Sequence, residues 1–217
     1  LIPVFCDVTP LTYCIDTTKI EELISHKTKA IVAPNLMGNI CEWDKIRQIA
    51  NKHNLIVIED SADTLGAKLN NKSTGFYSDM SITSFYGSHI INCAGNGGML
   101  CINNDDIYKR AKLLRSWGRS SSIFDEKSEA IENRFNVKIE DIDYDAKFIF
   151  EEIGYNLEGS EIGAAFGLVQ LKKLEENIQE RIKNFNTQTK FFESLDEYFI
   201  TPKETKEAYT AWLAYHI

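Results

Sequence analysis

The sequence has no apolar stretch long enough to cross a bilayer, and no charged-then-apolar leader opens it, so neither a membrane span nor a secretion signal is expected. Positive charge is scarce: 24 Lys and Arg stand against 32 Asp and Glu, for a net charge of −8. No Lys/Arg cluster is long enough to make the basic stripe that a polyanion requires, which argues against nucleic acid while leaving open phosphate groups on a small ligand. The five cysteines, Cys6, Cys14, Cys41, Cys93 and Cys101, are odd in number and form no CxxC pair. A disulfide framework and a zinc ribbon are therefore not indicated, and a reducing cytoplasm fits best. His26, His53 and His216 lie in unrelated segments without ligand spacing, so no metal site is expected. Internal repeats and low-complexity linkers are also lacking. LIPVFCDV reads as a strand entered in midstream with no initiator Met, and AYTAWLAYHI stops inside an aromatic run without a terminating cap. A partial chain is expected.

What is present is globular: 43% of residues are hydrophobic, enough for a sizeable core. IPVFCDV reads as a strand. DTTKIEELISHKT places Ile20, Leu23 and Ile24 on one helical face, and KAIVAPN is a short strand of buried type. EWDKIRQIANKHN brings Trp43, Ile46, Ile49 and Ala50 to helical spacing, and LIVIED follows as a nearly continuous β-branched run of the kind buried on both faces. DMSITSFY and GGMLCIN are further strands, and DDIYKRAKLLRSWG is a helix with an acidic first turn and a basic later one. From Ser160 a helical pattern continues for over thirty residues, with Leu171, Leu174, Ile178, Ile182 and Phe185 on one stripe that suits core packing or a dimer contact. Alternating strands and helices predict an α/β fold, a mostly parallel sheet flanked by helices. The expected division is 1–160 as a large cofactor-binding α/β domain and 161–217 as a long helix with the beginning of a smaller C-terminal part.

In open α/β sheets ligands bind beyond the carboxyl ends of strands, which directs attention to Asp60 after LIVIE and to Ser84 and His89 after DMSIT. Singly, Asp60 reads as a helix cap or solvated strand end, Ser84 as a hydroxyl bonded to backbone, and His89 as a satisfied imidazole. Gly95, Asn96, Gly97 and Gly98 lack the spacing and Lys of a phosphate loop and read as a tight turn into a strand, with Cys93 and Cys101 as small buried hydrophobes on either side. Arg119 reads as a surface ion-pair partner.

Taken in chain order, IEDSADTLGA, SFYGSH, GNGG and GYNLEGSEIGAAFGLVQL resemble the DegT-type nucleotide-sugar aminotransferases and 3-dehydratases, pyridoxal phosphate enzymes of fold type I. The likeness covers nearly the whole chain. It implies that Asp60 meets the pyridine nitrogen of the cofactor, where a carboxylate keeps the ring protonated and electron-accepting. It implies that Ser84 bonds the cofactor phosphate, and that Asn156 reaches the phosphate of a neighbouring subunit, hence a homodimer with shared active sites. Asp63 falls near the cofactor's phenolic oxygen, where many members carry Gln or His. His89 stands where aminotransferases of the family hold the lysine that binds the cofactor covalently, and Ser88, Ile90, Ile91 and Asn92 beside it offer no amine. An imidazole makes no stable link of that kind.

The replacement resembles the 3-dehydratases of deoxysugar and lipopolysaccharide biosynthesis, which use pyridoxamine 5'-phosphate. The implied reaction is C3 deoxygenation of a nucleotide-linked 4-keto-6-deoxyhexose with His89 as the catalytic base, a task suited to an ordinary imidazole pKa of about 6.5. One branch of these enzymes carries a cysteine-ligated [2Fe–2S] cluster after a WGR tripeptide and passes electrons to a reductase partner. Here Trp117, Gly118 and Arg119 lead into SSSIFDEKSEAIENRF, which has no thiolate to hold a cluster, so no iron–sulfur centre is expected. The WGR region itself looks closer to that branch, and the mode of cofactor recycling and a reductase partner stay open. The alternatives are an aminotransferase of the same family and a catalytically silent paralogue.

Overall fold

The computed structural model describes residues 1–123, 134, 135 and 137–217. The chain forms two compact units, one built from Leu1–Cys101 with Ser160–Ile217 and the other from Ile102–Gly159.

The first unit is organised by a four-stranded sheet in the order β1 (Ala30–Pro34), β2 (Ile56–Asp60), β5 (Met80–Ser84) and β6 (Gly98–Ile102). β1 runs parallel to β2, and β2 parallel to β5, with Pro34 opposite Asp60 and Asp60 opposite Ile82. The crossover from β1 to β2 is α1 (Trp43–His53), whose Trp43, Ile46 and Ala50 are buried against Ile31, Ala33 and Val57. Asn54 closes α1 in the left-handed conformation, with φ 53°. Between β2 and β5 lie the short β3 (Lys68–Leu69) and β4 (Lys72–Ser73), and β3 also pairs with β9 (Ala208–Tyr209). A second, smaller core joins Ile90, Ile178 and Ala211.

The second unit contains α2 (Asp105–Arg115), capped by Asn104 through Ile107 N–H at 3.0 Å, and the hairpin β7 (Val137–Ile139) with β8 (Ile142–Tyr144). Among the described residues no helix is long and apolar enough to cross a membrane.

Several expectations are corrected. The thirty-residue helix is two: α3 (Glu161–Leu171), capped by Ser160, and α4 (Leu174–Glu193), broken at Lys173 with φ −99° and ψ 0°. Gly163 and Gly167 press α3 onto Cys93, where an added Cβ on Gly167 would lie 2.4 Å from Cys93 Sγ. α4 packs through Ile178 and Phe185, Phe185 stacking on Trp212 at 4.2 Å. DTTKIEELISHKT forms turns and one 3₁₀ segment, Glu21–Leu23, instead of a helix. Asp16 Oδ1 takes both the N–H and the hydroxyl of Thr18, a local turn that competes with helix initiation. IPVFCDV makes only the isolated bridge from Val8 to Ile15, because no strand among the described residues pairs with it. The sheet is buried on one face only: Ile31, Val57 and Glu59 are covered, whereas Val32 is 60% and Ile56 39% exposed. Cys101 is exposed and Cys93 half-buried, since β6 lies largely open to solvent. Arg119 makes no ion pair among the described residues and stacks on Trp117 at 4.4 Å.

Candidate active site

Asp60 is the last residue of β2, and strand-like bonds continue past it: Asn35 N–H donates to Asp60 O at 2.8 Å and Ser61 N–H to Ile82 O at 2.9 Å. Side chains alternate along strands, so Asp60, Ile82 and Ser84 share the open face of the sheet. Asp60 Oδ1 accepts from Ala62 N–H at 3.1 Å, and Oδ2 has no hydrogen-bond partner among the described residues. Ser84 Oγ accepts from Tyr86 N–H at 3.2 Å, which leaves its hydroxyl proton available to a phosphate oxygen.

His89 is held by the loop that follows β5. Its N–H donates to Tyr86 O at 3.0 Å and its ring stands edge-on to the Tyr86 ring. Phe85 closes the loop by donating to Gly97 O at 2.9 Å and accepting from Cys93 N–H at 3.0 Å, and the neighbouring Ile90 and Ile91 are buried. An added Cβ on Gly97, at φ 155°, would lie 3.0 Å from Cys93 Cβ, so close packing favours glycine at this position of the turn.

The ring of His89 faces Asp63: Nε2 lies 3.7 Å from Asp63 Oδ1, with the two side chains 17% and 19% exposed. That distance is too long for a hydrogen bond, and the pair is a charge contact only when the imidazole is protonated. His89 Nδ1 is buried without a hydrogen-bond partner among the described residues. The other oxygen of Asp63 accepts from Met37 N–H at 3.0 Å. Burial pushes the Asp63 carboxyl above its ordinary range; the Met37 N–H and the imidazole pull it down, and the charge of Asp60 adds to the rise. Asp60, Asp63 and His89 thus lie within one electrostatic neighbourhood.

Asn156 is exposed in the second unit, where its backbone bridges to Ser116. Sequence reasoning missed Met37, which acts through a backbone N–H that residue type does not advertise. It also missed Asn35 and Glu59, although a Glu in an otherwise apolar strand run was a legible anomaly.

Residues 1–217 match the DegT/DnrJ/EryC1/StrS aminotransferase family. The chain belongs to it. Among relatives of this DegT-family chain, lipopolysaccharide biosynthesis protein RfbH of Salmonella typhimurium is 33% identical over 100% of this chain and 50% of its own length. GDP-perosamine synthase of Caulobacter vibrioides is 35% identical over 82% of this chain and 42% of its own. In structure, E. coli GDP-4-keto-6-deoxy-D-mannose-3-dehydratase with bound hydrated PLP superposes with a TM-score of 0.78 at 27% identity, over 97% of this chain and 52% of the other. The chain therefore spans about half the length of the relatives it matches. Its fold is that of the fold-type-I pyridoxal phosphate enzymes, as the motif resemblance implied.

Proposed function

We propose that this chain carries the catalytic face of a pyridoxamine or pyridoxal phosphate-dependent 3-dehydratase acting on a nucleotide-linked 4-keto-6-deoxyhexose in deoxysugar or lipopolysaccharide biosynthesis. The observation that carries the reading is the histidine in the lysine position, paired with a carboxylate: His89 faces Asp63 at 3.7 Å. The residues fit the cofactor, since Asp60 offers an unpaired carboxylate oxygen, Ser84 a free hydroxyl proton, and His89 a buried nitrogen with no partner among the described residues.

When bound, the cofactor supplies an amine to condense with the sugar ketone and a ring that accepts electrons. Asp60 would hold the ring nitrogen and keep it protonated. Ser84, with the partner subunit's matching contribution assigned to Asn156, would hold the phosphate. His89 takes up a proton as general base, and the charge of Asp63 stabilises the imidazolium so formed. An Asp, in place of the Gln or His common at position 63, is coherent with this duty. Gln would supply no charge to the imidazolium.

A homodimer is part of the proposal. α3 is apolar nearly all round, with Ile162 83%, Leu168 63% and Val169 52% exposed, a pattern that calls for cover by another surface. The segment 120–135, whose lack of cysteine supports a cluster-free enzyme, lies largely outside the described residues. An aminotransferase is the second reading, supported by the similarity to GDP-perosamine synthase. The test is mass spectrometry of products from the full-length protein with pyridoxamine phosphate and a panel of CDP-, GDP- and dTDP-4-keto-6-deoxyhexoses. Loss of oxygen at C3 supports the dehydratase; gain of nitrogen at C4 with C3 intact overturns it in favour of the aminotransferase.

A further inference from the structure

On the covered side of the sheet, behind Asp60, lies a cluster of buried polar groups centred on Glu59. This carboxylate is 1% exposed. Its Oε1 accepts from Asn35 Nδ2–H at 3.1 Å and from the Ser61 hydroxyl at 2.7 Å. Its Oε2 accepts from Gly75 N–H at 2.9 Å and from the Ser78 hydroxyl at 3.2 Å. No cation pairs with it among the described residues, and burial raises its carboxyl above the ordinary range against the pull of those donors. Burying a carboxylate without a counter-charge is costly, and an apolar residue in the IVIED run would avoid the cost.

The bonds of the cluster converge on the loop that carries Asp63. Asn35, also 1% exposed, directs its amide to Ser61 Oγ at 2.9 Å and Thr64 Oγ1 at 3.3 Å, bracketing Asp63 in sequence. Its carbonyl oxygen accepts from Cys41 N–H at 2.9 Å and Trp43 Nε1–H at 2.8 Å, so the amide cannot turn over without breaking both. Asn35 also opens the turn whose Met37 N–H holds Asp63 Oδ2. Both supports of the Asp63 carboxylate therefore run through one buried anchor.

We infer that Glu59 is a positioning residue of the proposed reaction, acting through Ser61, Asn35 and Thr64 to hold Asp63 against His89. The inference rests on the dehydratase reading for its kinetic consequences. Glu59→Gln is the sharpest perturbation, because each carboxylate oxygen faces one donor that cannot reverse, Asn35 Nδ2–H or Gly75 N–H, and the amide nitrogen must confront one of them.

The experiment compares full-length Glu59→Gln, Asp63→Asn, the double variant and Ser78→Ala for kcat, KM, melting temperature and pyridoxamine phosphate binding by fluorescence titration. Expected for Glu59→Gln is a loss of about tenfold in kcat, with KM and cofactor affinity within about threefold, and a double variant no slower than Asp63→Asn alone. Ser78→Ala is expected to lower the melting temperature while keeping kcat within about twofold. Additive losses in the double variant, or a kcat that merely follows melting temperature as in Ser78→Ala, overturn the inference. Should the unmodified protein turn over none of the sugars, the dehydratase reading fails by itself. The inference is then read from the ¹⁵N resonances of the His89 ring in the cofactor-free protein: Glu59→Gln must move them as Asp63→Asn does, and unmoved resonances overturn it. If Glu59→Gln does not fold, Ser61→Ala, which removes the hydroxyl joining Glu59 and Asn35 to the loop of Asp63, carries the same expectations.

Discussion

Replacing Asp63 by Asn isolates one charge. The asparagine oxygen can keep the Met37 N–H bond while its amide turns toward His89, so packing and loop geometry are preserved and only the attraction between carboxylate and imidazolium is lost. Two unit charges 3.7 Å apart attract by about 1 kcal/mol in a water-like medium and about 4 kcal/mol at the effective dielectric near a protein surface. With both side chains less than one-fifth exposed the larger figure applies, and discounting it by about half for residual solvent screening leaves about 2 kcal/mol, which corresponds to about a 30-fold fall in kcat. Because the imidazolium exists only after His89 has taken its proton, the loss belongs to kcat, and KM should move little. Steady-state kinetics on the full-length protein, with the nucleotide sugar that the product panel identifies, measures both. A kcat within about threefold of the unmodified value, or a KM that rises by the whole loss, refutes the role of Asp63 as the partner of a charged His89.

On the proposed placement, His89→Lys puts an amine where the family's aminotransferases hold their lysine: with pyridoxal phosphate the variant should develop a visible absorbance and a borohydride-trappable adduct at Lys, whereas the unmodified protein should bind reversibly. A trapped adduct in the unmodified protein defeats the placement of His89. For Glu59, the raised carboxyl pKa sets the sign of a pH effect. Protonation favours the folded state, so the stabilising contribution is complete below the ordinary value of 4.5 and is lost as pH rises through the folded-state value. The melting-temperature deficit of Glu59→Gln should accordingly widen as pH falls from about 7 to about 4.5, and a deficit that narrows on acidification contradicts the burial argument.

The strands and α1 were legible because their signals are local: the β-branched run of Ile56, Val57 and Ile58, and the helical spacing of Trp43, Ile46 and Ala50. Asp60, Ser84 and His89 were singled out by the rule that strand ends carry chemistry, while the roles expected of them came from the motif resemblance. The break at Lys173 was invisible because Leu171 and Leu174 keep helical spacing across it while Leu171 remains 49% exposed. The one-sided burial of the sheet was equally hidden, since apolar residues occupy both faces and only tertiary neighbours distinguish them. What the sequence could not announce at all was the contact of Asp63 with His89, made by two loops after different strands and supported by a backbone N–H.

Met37 is bonded through both of its backbone groups. Its N–H holds Asp63, while its carbonyl accepts from Leu213 N–H at 2.9 Å, and Gly38 beside it, at φ 94°, leaves no room for a Cβ against that same Leu213 nitrogen. During synthesis on the ribosome, a chain that has already emerged through Asp63 and His89 still lacks the segment that clamps Met37. The contact of Asp63 with His89 therefore gains this support only after residues near Leu213 have left the exit tunnel.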